Sequence, residues 1–230
     1  MELKDFIISK GLDVSLVDKF AEMMKLAFEW NEKINITAIK TPEDFINKNI
    51  IDSLTLLGRS ELASAERVMD LGTGGGYPGL PLALANPDKQ FVLMDSVGKK
   101  LTVVSAIASE LGITNVETVH ARAEDLARDK AYREGFDLVV SRAVAALPTL
   151  CEYCIPFVKK NGYFVAYKTE TAQAELEDAK RAISKLGGGR AECIEDGISG
   201  SGHIFISIKK LSNTPAAYPR KAGLPTKEPL

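Results

Sequence analysis

Apolar and polar positions along this chain follow two different rhythms. Near the N-terminus the period is helical. Over residues 15–33, Leu16, Phe20, Met23, Met24, Ala27 and Trp30 share one stripe, which predicts a helix with one buried face. Ser15 is the expected N-cap, with Asp18 three residues on as a weak capping-box partner. Residues 2–10 predict a shorter amphipathic helix. Thr41-Pro42-Glu43-Asp44 combines a capping hydroxyl, a proline at the first helical position and acids in the first turn, so a third helix starts there and runs to about Leu54. From Val68 onward the pattern changes to short continuous apolar runs. Those at 68–71, 91–94, 116–120, 136–140 and 162–168 read as buried strands. Helical stretches over 79–85, 98–111, 147–158 and 171–186 separate them. Such alternation predicts a mainly parallel sheet with helices on both faces. Runs at 191–195 and 203–209 have only a Gly/Ser turn between them, 197–202, so they should pair antiparallel. The last 20 residues hold four prolines and no apolar period, which predicts a surface tail or an extended cap. Three parts follow: a helical extension over 1–62, an α/β domain over 63–210 and a Pro-containing tail over 211–230.

Composition changes this picture little. At 230 residues, 45% hydrophobic and 26% charged, the chain is an ordinary globular one. A net charge of −2 gives no global attraction to nucleic acid, so any such surface must be local. One candidate lies at the end: residues 209–230 carry five cations against one acid. Three cysteines without an extracellular pattern suggest a reducing compartment. No apolar run reaches the roughly 20 residues that span a bilayer, and the N-terminus has no signal-peptide pattern. A cytoplasmic, monomeric protein without membrane attachment is expected.

The chemistry concentrates after the first strand. Gly72, Gly74 and Gly76 let the backbone turn sharply and approach a ligand, and such a turn is expected to aim backbone N–H groups at it. Gly74-x-Gly76-x-x-Gly79 matches a dinucleotide fingerprint, a weak signal alone. Asp70, inside the strand, adds nothing for a pyrophosphate but suits an ammonium or sulfonium group. The spacing Asp70-x-Gly72-x-Gly74-x-Gly76 resembles the first motif of S-adenosylmethionine-dependent methyltransferases of the Rossmann-like fold. Asp95, ending the next strand, then resembles the acid that takes ribose hydroxyls.

Sites in open α/β sheets lie at the carboxyl ends of strands. Tyr77 therefore joins the glycine loop, Ser96 joins Asp95, and Ala123-Glu124 follow the third strand, bordering an adenine in the methyltransferase reading. Arg142 ends the fourth strand and Lys168 the fifth, so both are expected in the crevice as catalytic residues acting by charge and position, with Arg142 also a cofactor contact, toward the methionine part. The alternative for Arg142 is a pairing with Asp70 or Asp95 that holds the loop. Ser141-Arg142-Ala143-Val144 is unlike the Asn/Asp-Pro-Pro-aromatic motif of exocyclic-amine methylases. Cys151 and Cys154 read as buried helical residues, not nucleophiles, and His120 and His203 are too isolated for a metal site.

Across nearly its whole length the chain resembles the small-subunit ribosomal RNA methyltransferase G family, also called glucose-inhibited division protein B. The resemblance rests on Trp30-Asn31 with Asn35-Ile36-Thr37, Ile51-Asp52-Ser53, the segment 70–82, Asp95-Ser96 with Lys99-Lys100, Arg122-Ala123-Glu124, Ser141-Arg142-Ala143, Lys168 and the segment 219–225. One position departs: Asn49 stands where the family usually has His. The resemblance implies methyl transfer from S-adenosylmethionine to N7 of a guanine in 16S rRNA, free or in the small ribosomal subunit. Lys99, Arg122, Arg220 and Lys221 are the expected RNA contacts. N7 carries a lone pair and no proton, so a site without base, nucleophile or metal suits it. The rival readings are a small-molecule methyltransferase, an NAD-dependent oxidoreductase and a non-catalytic nucleotide sensor on the same fold.

Overall fold

The computed structural model describes residues 2–197 and 202–230. Residues 198–201, most of the expected Gly/Ser turn, lie outside the described residues. The described residues form one sheet of seven strands: β1 (Arg67–Leu71), β2 (Gln90–Asp95), β3 (Val116–His120), β4 (Phe136–Arg142), β5 (Val158–Lys168), β6 (Gly188–Glu195) and β7 (Ile204–Lys210). Their order is β3-β2-β1-β4-β5-β7-β6. β1 to β5 run parallel to one another, and β7 runs antiparallel to both β5 and β6. This is the Rossmann-like arrangement with its antiparallel last strand. Strand order reverses between β1 and β4, so the carboxyl ends there open a crevice.

The central strands are apolar on both sides because helices cover both faces. Val68 joins one core cluster, with Leu80, Leu93 and Leu138. Met69 and Leu71 join the other, with Val92, Val139 and Phe164. A side chain at Asp70 therefore lies on the Val68 face, under the helix Gly79–Ala85. That packing requires Gly79, since a Cβ there would sit 2.1 Å from Leu93 and 2.8 Å from an Asp70 oxygen.

The N-terminal extension folds onto the same face. In the helix Leu16–Asn31, Phe20, Met23 and Ala27 are fully buried. Ser15 does not cap it: the helix has no side-chain cap, and the Ser15 N–H itself donates to Asp13 Oδ1 at 2.8 Å. Thr41 does cap the next helix, accepting from Asp44 N at 3.2 Å. The helix begins as Pro42–Phe45, widens into a π-helical turn over Ile46–Ile51 and resumes as Asp52–Leu54. Phe45 packs edge-on against Tyr77, centroids 5.6 Å apart, which docks the extension on the glycine loop. Further on, the helix Leu147–Cys154 stops earlier than its apolar pattern implies, because Pro156 cannot continue it. Residues 211–230 lie against the domain as an extended cap with a short helix, Leu224–Lys227. No helix among the described residues is long and apolar enough to cross a membrane.

Candidate active site

At the carboxyl ends of β1 to β4 lies a cavity of about 480 Å³, within the usual range for a small-molecule site. Its floor is the glycine loop. Gly72 has φ +74°, and a Cβ on it would come within 2.4 Å of Val144, which reaches over from the end of β4. The loop spends its N–H groups on the protein. Gly72 and Thr73 donate to Met94 O at 2.9 and 3.0 Å, and Gly76 and Tyr77 to Thr73 O at 2.9 and 3.0 Å. Gly74 donates to Asp95 Oδ2 at 2.9 Å and Gly79 to Asp70 Oδ2 at 2.8 Å. The expectation that the turn offers a row of N–H groups to a ligand therefore needs correction: among the described residues only Gly75 keeps one. A pyrophosphate cradle is absent.

Asp70, expected among the cofactor contacts, is fully buried beneath this loop and does not line the cavity. Oδ2 accepts from Thr73 Oγ1 at 2.6 Å as well as from Gly79, while Oδ1 is buried without a partner. Burial outweighs both hydrogen bonds and the nearby Arg142, pushing the pKa up to about 6. Asp95 lines the cavity directly, with Oδ1 accepting from Val97 N at 2.8 Å. Beyond β3, buried Glu124 also lines it. Its Oε1 accepts from Gly223 N at 2.9 Å, and its Oε2 has no protein partner among the described residues.

Across the cavity stands Arg142. One terminal nitrogen donates to Lys48 O at 2.7 Å and to Asp52 Oδ2; the other donates to Asn49 Oδ1 at 3.1 Å. All three acceptors lie in or just after the π-helical turn. Asp52 in turn places Oδ1 2.6 Å from His203 Nδ1 on the approach to β7, and this bond raises the His203 pKa. The expected alternative, a pairing of Arg142 with Asp70 or Asp95, is not what the fold builds. Three of the guanidinium's five N–H groups face the extension, and the other two have no partner among the described residues. Asn49 Nδ2 and Tyr77 Oη, both in cavity-lining residues, are buried without partners.

The sequence has relatives over nearly its whole length. The sequence profile described as rRNA small subunit methyltransferase G covers residues 16–195. The chain is 44% identical over 230 residues to "Ribosomal RNA small subunit methyltransferase G" of Clostridium novyi, spanning 97% of this chain and 95% of that one. It is 47% identical over 220 residues to the protein of the same name from Desulfitobacterium hafniense, spanning 93% and 89%. The chain belongs to the rRNA small subunit methyltransferase G family. Among solved structures, the S-adenosylmethionine-dependent methyltransferase SibL superposes with TM-score 0.58 at 14% identity, over 86% of this chain and 76% of that one. The O-methyltransferase TomG of Streptomyces achromogenes, in complex with SAM, gives 0.53 at 20%, over 83% and 89%. These two report the fold alone.

Within this family member, the cavity brings together Gly72, Gly74, Tyr77, Asp95, Ser96, Arg122, Ala123, Glu124 and Arg142. Gly76 shapes the loop from behind with φ +100°. Lys168 does not reach the cavity. Its ammonium is held by Glu175 Oε2 at 2.6 Å and Ala145 O at 2.9 Å, so it props the segment after Arg142. Arg220 is likewise committed, to buried Glu152. Lys99 and Lys221 are exposed. Sequence reasoning missed Thr37, Lys100, Tyr153, Gly223 and Thr226 in the lining, and it gave Asp52 and Asn49 no contact with Arg142. Cys151 and Cys154 are fully buried, which raises both thiol pKa values. No cluster of three or more His, Cys, Asp or Glu suited to a metal occurs among the described residues.

Proposed function

We propose that this chain transfers a methyl group from S-adenosylmethionine to N7 of a guanine in 16S rRNA. The observation that carries the cofactor assignment is the glycine loop with its N–H groups already used and carboxylates on its rim. A site of that kind repels a pyrophosphate and suits a cationic ligand, which disfavours the NAD-dependent reading. Buried Asp70 Oδ1 without a partner fits the same ligand, since a nearby ammonium or sulfonium charge would stabilise its ionised form. In this reading Asp95 meets the ribose hydroxyls, Ala123 and Glu124 border the adenine, and Ser96 and Tyr77 complete the walls.

The bound cofactor supplies an electrophilic methyl on a sulfonium sulfur. The chain's own residues need remove no proton, because N7 of guanine has a lone pair and carries none. Their work is alignment and charge. Arg142, held from three sides by the π-helical turn, keeps two N–H groups for an acceptor in the cavity. Guanine offers O6 beside N7; both N–H groups converging on the two lone pairs of O6 would leave the N7 lone pair free for the methyl group, a geometry that a lysine cannot reproduce. Lys168 contributes indirectly, by fixing Ala145 and hence the loop carrying Val144 across the glycines. Exposed Lys99, Arg122 and Lys221 are the phosphate contacts; Arg220, engaged elsewhere, is left out of that set.

Calorimetry with S-adenosylmethionine and NAD in parallel tests the cofactor assignment. Binding of the first and not the second is expected; the reverse would sink it.

A further inference from the structure

The C-terminal segment reads in the sequence as a basic tail, and its geometry gives it another task. Glu152 is fully buried on the helix Leu147–Cys154. It receives Arg220 in a fork: Oε1 accepts from Arg220 N at 2.7 Å and Nε at 3.0 Å, and Oε2 accepts from a terminal guanidinium nitrogen at 2.7 Å. That nitrogen also donates to Glu228 O at 2.7 Å. Thr149 Oγ1 donates to Pro225 O at 3.1 Å, and the hydroxyls of Tyr153 and Thr226 lie 2.8 Å apart. A buried carboxylate is tolerated only when paired and hydrogen-bonded this fully. The segment is therefore fixed, and Arg220 is withdrawn from phosphate binding.

What these bonds hold in place is Gly223. Its φ is +81°, and its N–H donates to Glu124 Oε1 at 2.9 Å. A Glu side chain in the first turn of a short helix, here Ala123–Leu126, has many rotamers and a strong pull toward water. The fixed amide selects one of them and leaves Oε2 for the cavity. Gly223, Thr226 and Tyr153 line that same cavity.

We propose that residues 219–228 are a permanent wall of the cofactor site, with Arg220 a positioning residue that acts through Gly223 on Glu124. Glu124 Oε2 then reads an exocyclic amine on the cofactor's purine ring. The proposal rests on the cofactor reading above and deepens it. It implies that amine recognition depends on a residue 96 positions downstream in the chain, in a segment that never touches the purine's amine itself.

The test compares S-adenosylhomocysteine with S-inosylhomocysteine, in which an acceptor oxygen replaces the amine. Affinities are measured by calorimetry for the full chain, for a chain ending at residue 222, and for Arg220→Lys. The full chain is expected to prefer the adenosyl compound by about tenfold or more, because a carboxylate facing a carbonyl oxygen leaves both without a donor. Both variants should lose most of that preference while 16S rRNA affinity and its salt dependence stay unchanged. Arg220→Lys keeps the charge, so it answers the question even if the shortened chain fails to fold. An undiminished preference in the folded variants overturns the proposal, as does equal binding of the two compounds by the full chain. Failure of the full chain to bind either compound would instead remove the cofactor reading on which the proposal stands.

Discussion

Two walls of one cavity hold their key side chains by opposite means. On the β4 side a cation, Arg142, is gripped by side-chain and carbonyl oxygens from the N-terminal extension: Asp52, Asn49 and Lys48. On the β3 side an anion, Glu124, is held by one backbone N–H from the C-terminal segment. The first wall depends mainly on two side chains, Asp52 and Asn49, each removable by a single substitution. The second depends on where the backbone lies, so its control residues sit one layer further out, at Arg220 and Glu152. Both ends of the chain thus close on a crevice that the parallel sheet opens but does not line by itself. The appended segments belong to the site, and the α/β domain alone is an incomplete version of it.

The comparison is broken most severely at Arg142. Arg142→Lys keeps the charge but loses the fork that spans Asp52 and Asn49. Methyl transfer to rRNA is expected to fall by about 100-fold or more from misalignment alone. Cofactor affinity and melting temperature should stay near wild type. A variant that melts early and loses cofactor together with activity would make Arg142 structural.

On the opposite wall, Glu124→Gln retains an acceptor for Gly223 and removes the charge. Cofactor affinity should weaken by about 1–3 kcal/mol, seen by calorimetry, with RNA affinity unaltered. Asp95→Ala is expected to weaken the cofactor over the same range, since it strips Gly74 and Val97 of their acceptor and removes the ribose partner; unchanged affinity would take Asp95 out of the site.

Asp70 gives a third comparison, between the floor and both walls. Its folded pKa is raised from 3.8 to about 6, so the native state holds the proton more tightly than the unfolded chain. Stability from this group is present below about pH 4 and is lost as pH rises through about 6. Asp70→Asn keeps an acceptor for Thr73 and Gly79 and does not titrate. Relative to wild type, the apo variant should gain stability across that window, up to about 3 kcal/mol above pH 6, as 1.36 kcal/mol per pKa unit implies. Parallel melting curves from pH 4 to 8 check it; a variant that loses ground as pH rises contradicts the sign. The same variant should bind S-adenosylmethionine less well, because the charge it lacks is the one the cofactor favours.

Much of this was legible in the sequence, for identifiable reasons. The strands are continuous apolar runs, the helices alternate with them, and that alternation dictates a parallel sheet and a crevice at its carboxyl ends. Asp70, the glycines, Asp95, Glu124 and Arg142 fall at those ends by position alone. What the sequence hid were the partners. Strand positions point Arg142 toward Asp70 and Asp95, its neighbours across the sheet. The fold instead brings Asp52 to it from 90 residues away, because the π-helical turn presents a carboxylate, an amide and a main-chain carbonyl on one side. No local pattern announces such a turn. Strand position puts Lys168 at the crevice, yet Glu175 in the first turn of the next helix draws it away. Arg220 reads as part of a positive tail, since a charge count carries no information about a buried acid such as Glu152. Likewise the glycine spacing announced a tight loop but not that its N–H groups would be spent internally.

The atom that is methylated is the most direct test of the proposed function. Purified chain, S-adenosylmethionine and 16S rRNA from cells lacking this protein should yield 7-methylguanosine at a discrete guanine, mapped by mass spectrometry of nuclease fragments and formed about 100-fold or more slowly when Arg142→Lys is used. Methyl groups on any other atom, or on small molecules in preference to the RNA, would contradict it.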